Sequence, residues 1–166
     1  EILYDKVMGV MSTWCEQDIY AVSFFVESNE LLSFQDVYNV SGFSISYNTE
    51  SDCNGAGPHA EERWNYAFWR QDETPIIDID EPNECTDALY KWYAEQGIEN
   101  IGYEDTENQH DEQHNYIGKG PVGHYELIGI ATNIAKKLQR EGFIYNHIKN
   151  PIPIIIHGLE YAWYDI

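Results

Sequence analysis

Ile19-Tyr-Ala-Val-Ser-Phe-Phe-Val26 is the stretch that decides the fold. Its apolar residues fall on both faces of an extended chain, and β-branched and aromatic types dominate. That pattern predicts a central strand covered on both sides. Downstream, Phe43, Ile45 and Tyr47 alternate with Ser44, Ser46 and Asn48, the period of a half-buried strand. Trp64 to Trp69 alternates in the same way and is expected to be a third strand. Pro151-Ile-Pro-Ile-Ile-Ile-His157 reads as a fourth, with prolines suited to its start or to an edge.

Helices surround these strands. Leu3, Val7, Val10, Met11 and Trp14 recur at helical spacing over residues 2–16. A helix over 84–96 is marked by Asn83 as N-cap after Pro82 and by Gly97 at its end. Residues 123–141 carry a third apolar stripe, with Lys136, Lys137 and Arg140 near the helix's negative end. Glu27-Ser28-Asn29-Glu30 reads as a turn and Ser41-Gly42 as a break. Leu31–Val40 fits either a strand or a short helical insertion, and Leu159–Ile166 either a strand or a helix start. Residues 99–120 lack periodicity and read as a long exposed loop. The expectation is α+β: one domain over 1–166, with a mixed or mainly antiparallel sheet covered by about three helices.

Composition bounds the function. The chain has 166 residues and a net charge of −20, with 43% apolar and 14% aromatic residues. So many large apolar groups place the charge on a folded object, not on a disordered tail. Between Asp72 and Glu112 stand fourteen carboxylates and one base, Lys91, a net −13. Such a field repels nucleic-acid phosphates and anionic membranes; it favours a basic protein or a cation, or serves solubility with no partner. Cys15, Cys53 and Cys85 are odd in number and widely spaced, as for reduced thiols in a cytoplasmic protein. No apolar run is long enough for a membrane span, and Glu1-Ile-Leu-Tyr-Asp-Lys6 does not look like a signal peptide.

Several motifs offer chemistry. His110-Asp-Glu-Gln-His114 would set two histidines on one helical face, as in zinc hydrolases, but Asp111 stands where that motif needs Glu. This gives one alternative, a metal-dependent hydrolase using His110 and His114. Asp78-Ile-Asp80-Glu81 offers hard carboxylates but lacks the glycine and terminal acid of a calcium loop. Asn54-Gly-Ala-Gly57 lacks the Lys and Ser/Thr of a phosphate loop and reads as a turn. Cys53, beside Asp52, is disfavoured as a thiolate. His157 reads as a satisfied core or edge histidine. A second alternative is an acidic mimic of nucleic acid.

Three segments carry a family likeness: Ser44-Ile-Ser-Tyr-Asn-Thr-Glu50, Arg63-Trp-Asn-Tyr-Ala-Phe-Trp-Arg70 leading to Ile76-Ile-Asp78, and Pro151 to Tyr161. In these the chain resembles the small bacterial immunity proteins that neutralise polymorphic toxins, including those of contact-dependent growth inhibition. The resemblance implies a non-enzymatic inhibitor without a cofactor, monomeric alone and heterodimeric with its cognate toxin domain. The charge adds a preference for a basic target such as a ribonuclease. The expected partner-binding residues are Asp78, Asp80, Glu81, Glu104, Asp105, Glu107, Asp111 and Glu112, with Tyr103 and Tyr116 as aromatic anchors. Within the acidic stretch the loop is favoured over the helix, whose acids Glu84 and Asp87 suit the helix dipole.

Overall fold

A computed structural model describes residues 1–31, 38–104, 110–114 and 120–158. Among the described residues, four strands form one sheet: β1 (Ile19–Leu31), β2 (Tyr38–Thr49), β3 (Thr74–Ile77) and β4 (Ile154–His157), in the order β3-β2-β1-β4. β1 and β2 are antiparallel, as are β2 and β3, while β1 and β4 are parallel. The sheet is therefore mixed, and with its helices the chain is α+β. The long helices are α1 (Ile2–Met11), α3 (Glu84–Glu95) and α4 (His124–Arg140), and the short ones α2 (Glu61–Trp64) and α5 (Phe143–Ile148).

The two-sided apolar pattern of β1 has the predicted outcome. Val22, Phe24 and Val26 are sealed on one face, where α1, α3 and α4 supply Val7, Met11, Leu89 and Leu127 to the main core. Ala21 and Phe25 are buried on the other face, under Tyr66 and Trp69. Phe24 meets Phe43 edge to face at 5.2 Å, which ties the two central strands together. On β2, Phe43, Ile45 and Tyr47 join the main core while Ser46 and Asn48 lie on the opposite face, as their alternation predicts.

Several boundaries differ from the sequence expectation. Trp64–Trp69 is not a strand. Trp64 ends α2, and Tyr66–Phe68 form a 3-10 turn whose start is capped by the Asn65 side chain, accepting from Ala67 N–H at 3.0 Å. The aromatic residues work as a lid at spacing three, with Tyr66 and Trp69 buried and Phe68 55% exposed. The third strand is instead the short apolar piece at Ile76-Ile77. α1 stops at Met11 because the Ser12 and Thr13 hydroxyls donate back to the Met8 and Val10 carbonyls, each at 2.7 Å. Trp14 still packs, 4.6 Å from the Tyr47 ring.

Glu27–Glu30 is no turn but part of β1, and Ser41-Gly42 is no break but part of β2. Gly42 is needed for close approach: a Cβ there would lie 3.1 Å from Ile79 Cδ1 and 3.3 Å from the Ile77 carbonyl. The closing strand begins at Ile154, after both prolines, not at Pro151. α5 was not expected; it is set between left-handed Gly142 and Lys149. The readings for 32–37 and 159–166 lie outside the described residues.

Replacing Phe24 with Ala is expected to cost about 3–5 kcal/mol of unfolding free energy, read from urea denaturation. Asn83→Ala should cost about 1 kcal/mol through the lost cap.

Candidate functional site

The acidic surface is organised by α3 and by the turn that feeds it. Asp78 Oδ1 accepts from the N–H groups of Asp80 and Glu81, both at 3.0 Å, and so shapes the turn leaving β3. Asn83 then caps α3, accepting from Cys85 N–H at 2.8 Å and Thr86 N–H at 3.2 Å. Thr86 Oγ1 accepts from Asn83 N–H in return, closing a capping box. Cys85, Leu89 and Tyr93 face the core. This forces Glu84, Asp87 and Tyr90 outward, and all three are exposed.

The far end of α3 is tied to α4. Buried Tyr93 donates its hydroxyl proton to the Gly123 carbonyl at 2.9 Å. Burial, chiefly, holds that phenol well above its ordinary range. Gly123 has φ +93, and a Cβ there would lie 3.2 Å from the Tyr93 ring tip, so glycine is required on both counts. Gly102 N–H donates to Val122 C=O, and Val122 N–H to Tyr103 C=O, both at 2.9 Å. The first turns of the predicted loop are therefore fixed against the start of α4.

Of the predicted binding residues, Asp80, Glu81, Tyr103 and Glu112 are exposed. Asp78 is half-buried and committed to its turn. Glu104 is half-buried within electrostatic reach of His124. Asp111 is half-buried and accepts from Gln113 N–H at 2.9 Å. Asp105, Glu107 and Tyr116 lie outside the described residues. His110 and His114 share no helical face: the described segment 110–114 is a turn, with His114 at φ +65. No cluster of three metal-ligating side chains occurs among the described residues.

The distribution of ion pairs divides the surface. Arg63 forms a two-pronged pair with Glu50 and lies 4.1 Å over the Tyr20 ring. Arg70 reaches Asp72 at 3.1 Å, Glu16 at 3.4 Å and Asp52 at 3.9 Å. Glu16, Glu50, Asp52 and Asp72 are thus each reached by an arginine, while Glu61 and Glu62 of α2 are exposed and form no ion pair among the described residues. On the α3 side, Lys91 reaches only Glu95, at 4.0 Å. Among the described residues, Asp80, Glu81, Glu84, Asp87, Glu99 and Glu112 are all exposed and none forms an ion pair. Tyr90 stands among them, 40% exposed and packed edge-on against Tyr93 at 5.9 Å. The sequence signal for it was available: it falls off the core stripe of α3 beside Asp87.

Two serine–histidine pairs had no sequence signal, since their partners are far apart in the chain. Ser23 Oγ lies 2.8 Å from His157 Nε2, and Ser41 Oγ 2.7 Å from His124 Nδ1. His157 Nδ1 is 3.0 Å from the Gly158 carbonyl, which can only accept. Nδ1 therefore carries the proton and Nε2 accepts from Ser23. Ser23 is 0% and His157 1% exposed, so this pair joins β1 to β4 inside the protein and offers no nucleophile to a substrate. His157 is the satisfied core histidine that the sequence implied.

No family model matches the chain, and no match was found among curated proteins or solved structures. No helix among the described residues is long and apolar enough to cross a membrane.

Burial, the largest influence on each, holds both His124 and His157 below the ordinary histidine value. As pH falls through about 6.5, the unfolded chain takes up protons before the folded one does, so stability declines. Above that value neither group contributes to the pH dependence. The denaturation midpoint of the unsubstituted chain minus that of His157→Gln should fall from pH 7.5 to pH 5.5. A flat difference would contradict the assignment. The comparison cancels Glu27, whose raised pKa acts in the opposite sense, and the lowered carboxyls of Glu16 and Glu50, which titrate at more acid pH.

Proposed function

We propose that this protein is an immunity protein that binds a basic toxin domain and blocks it, with α3 and its flanking turns as the docking surface. The observation that carries the proposal is the set of six exposed carboxylates without ion pairs, beside the exposed Tyr90 and Tyr103. Arg63 and Arg70 pair with Glu50, Glu16, Asp52 and Asp72, whereas no arginine reaches these six among the described residues. A basic nuclease fits the field, because a protein that holds phosphates presents lysine and arginine at its cleft. Steering by unlike charge would speed capture before the toxin turns over in the cytosol. The segments resembling immunity proteins support the same reading. In it the chain is a non-enzymatic monomer that becomes a heterodimer, and it needs no cofactor.

Among the described residues, local geometry supports the helix more than the loop as the docking surface. Asp78 and Asp111 have local backbone partners, whereas Glu84 and Asp87 are outward-facing and lack ion pairs. The residues with most to give a partner are Asp80, Glu81, Glu84, Asp87 and Tyr90.

The test is association with a basic ribonuclease toxin domain, sought in the neighbouring gene. The double reversal Glu84→Lys/Asp87→Lys should weaken the complex by about tenfold or more, mainly through slower association. Asp5→Lys/Glu62→Lys, on other exposed helix positions, should leave it within about twofold. Raising salt from about 50 mM to about 200 mM should slow association of the unsubstituted pair. Equal losses from both reversals would remove α3 from the interface.

A further inference from the structure

The loop that follows β2 turns at Cys53-Asn-Gly-Ala56. Ala56 N–H donates to the Cys53 carbonyl at 2.8 Å, and both central residues have positive φ, +50 at Asn54 and +81 at Gly55. That is a type I′ turn. It lies where Thr49 pairs with Ile19, the end of the β1–β2 ladder away from Leu31 and Tyr38. β4 runs away from it, from Ile154 beside Val22 to His157 beside Phe25. Asn54 and Gly55 are exposed. Among the described residues, nothing lies within 4 Å of where a Gly55 Cβ would stand, and the Gly55 N–H has no hydrogen-bond partner. The Asn54 amide donates to the Asp52 carbonyl at 3.2 Å, an exposed bond that costs little to break. Asn54 is the only asparagine of the chain that is followed by glycine.

We infer that Asn54 is a site of spontaneous deamidation to isoaspartate, and that this change unlocks the turn over Cys53. The reaction needs the Gly55 nitrogen at Cγ of Asn54. The five-membered ring that results is nearly flat, so the nitrogen must eclipse Cβ about the Cα–C bond. For an L-residue this occurs at a ψ of about −120°, the value of the first central residue in a type II′ turn. Types I′ and II′ differ by a flip of the central peptide, here the one that joins Asn54 to Gly55. The flip leaves the Ala56–Cys53 hydrogen bond in place, and glycine accepts the change in the sign of φ that it requires. On ring closure a bond forms between the Gly55 nitrogen and Cγ, and the bond from Cγ to Nδ2 breaks. The Gly55 proton departs with the amide nitrogen as ammonia. One water then opens the ring. Opening at the main-chain carbonyl gives isoaspartate, whose backbone runs through Cβ and Cγ; opening at Cγ gives aspartate. Isoaspartate adds a methylene to the backbone between the Cys53 carbonyl and the Ala56 N–H, which breaks the turn bond. Cys53 and Ala56 both pack into the cluster of Tyr20, Tyr66 and Trp69, and the Cys53 thiol donates to Tyr20 Oη at 3.2 Å. Loss of the turn uncovers that thiol.

The test uses the Cys15→Ser chain, because Cys15 is exposed whereas Cys85 is 0% exposed and does not compete with Cys53 for reagent. The protein is held in warm neutral buffer beside a synthetic peptide of residues 50–58. Mass mapping should show an acid in place of the amide at Asn54, and an isoaspartyl methyltransferase should label that position. The folded chain should react within about tenfold of the peptide rate, since the turn flips without global unfolding. A slower reaction would mean that the fold shields the site, and would overturn the inference. In the reacted fraction, a thiol reagent should modify Cys53 about tenfold faster than before. Asn54→Gly keeps a residue suited to positive φ and removes the amide. Aged alike, it should show no faster modification of Cys53. Faster modification in that variant, or equal rates before and after reaction in the parent, would overturn the unlocking.

Discussion

The structure depends on burying both faces of one strand. β1 can satisfy Val22, Phe24 and Val26 only if a helical layer covers them, and Ala21 and Phe25 only if something covers the reverse. Its backbone groups need partners on both sides as well, because a buried amide without a hydrogen bond is costly. β2 meets one side and β4 the other. The remaining architecture follows from these requirements. Three long helices lie on the first face, and the aromatic lid at Tyr66 and Trp69 lies on the second. The Ser23–His157 hydrogen bond fits the same logic, since a serine buried at the centre of a sheet requires a polar neighbour.

Charge is arranged around this frame. Arg63 and Arg70 are each held by carboxylates and each stacked over an aromatic ring, Tyr20 and Tyr47 respectively. The α3 surface carries acids that no arginine meets. α3 gains locally from Glu84 and Asp87 at its positive end. That local benefit does not remove their outward field, so one carboxylate can favour its helix and still be offered to a partner.

Much of the frame could be read from residue order. β1, β2, α3 and α4 have long, clean periodicities, and tertiary packing agreed with them. Misreadings arose where local chemistry was ambiguous. Trp64–Trp69 has strand-like alternation, yet Asn65 captures the Ala67 amide and curls the segment. Glu27–Glu30 has the composition of a turn, yet pairing with β2 holds it extended. The site was less legible than the fold. Composition located the acidic stretch, but whether an acid is free depends on distant partners, as with Arg70 and Glu16. It also depends on backbone donors that composition does not reveal, as at Asp78.

The parallel pairing of β1 with β4 also sets an order in time. β1 is made well before its second neighbour, which comes only after α4 and α5. Throughout synthesis Val22, Phe24 and their backbone groups therefore form an exposed apolar edge, the kind of surface that promotes misassembly. Contacts so distant in sequence also form slowly. The interval before β4 docks is thus when this chain is most vulnerable, and its strong negative charge then keeps nascent copies apart.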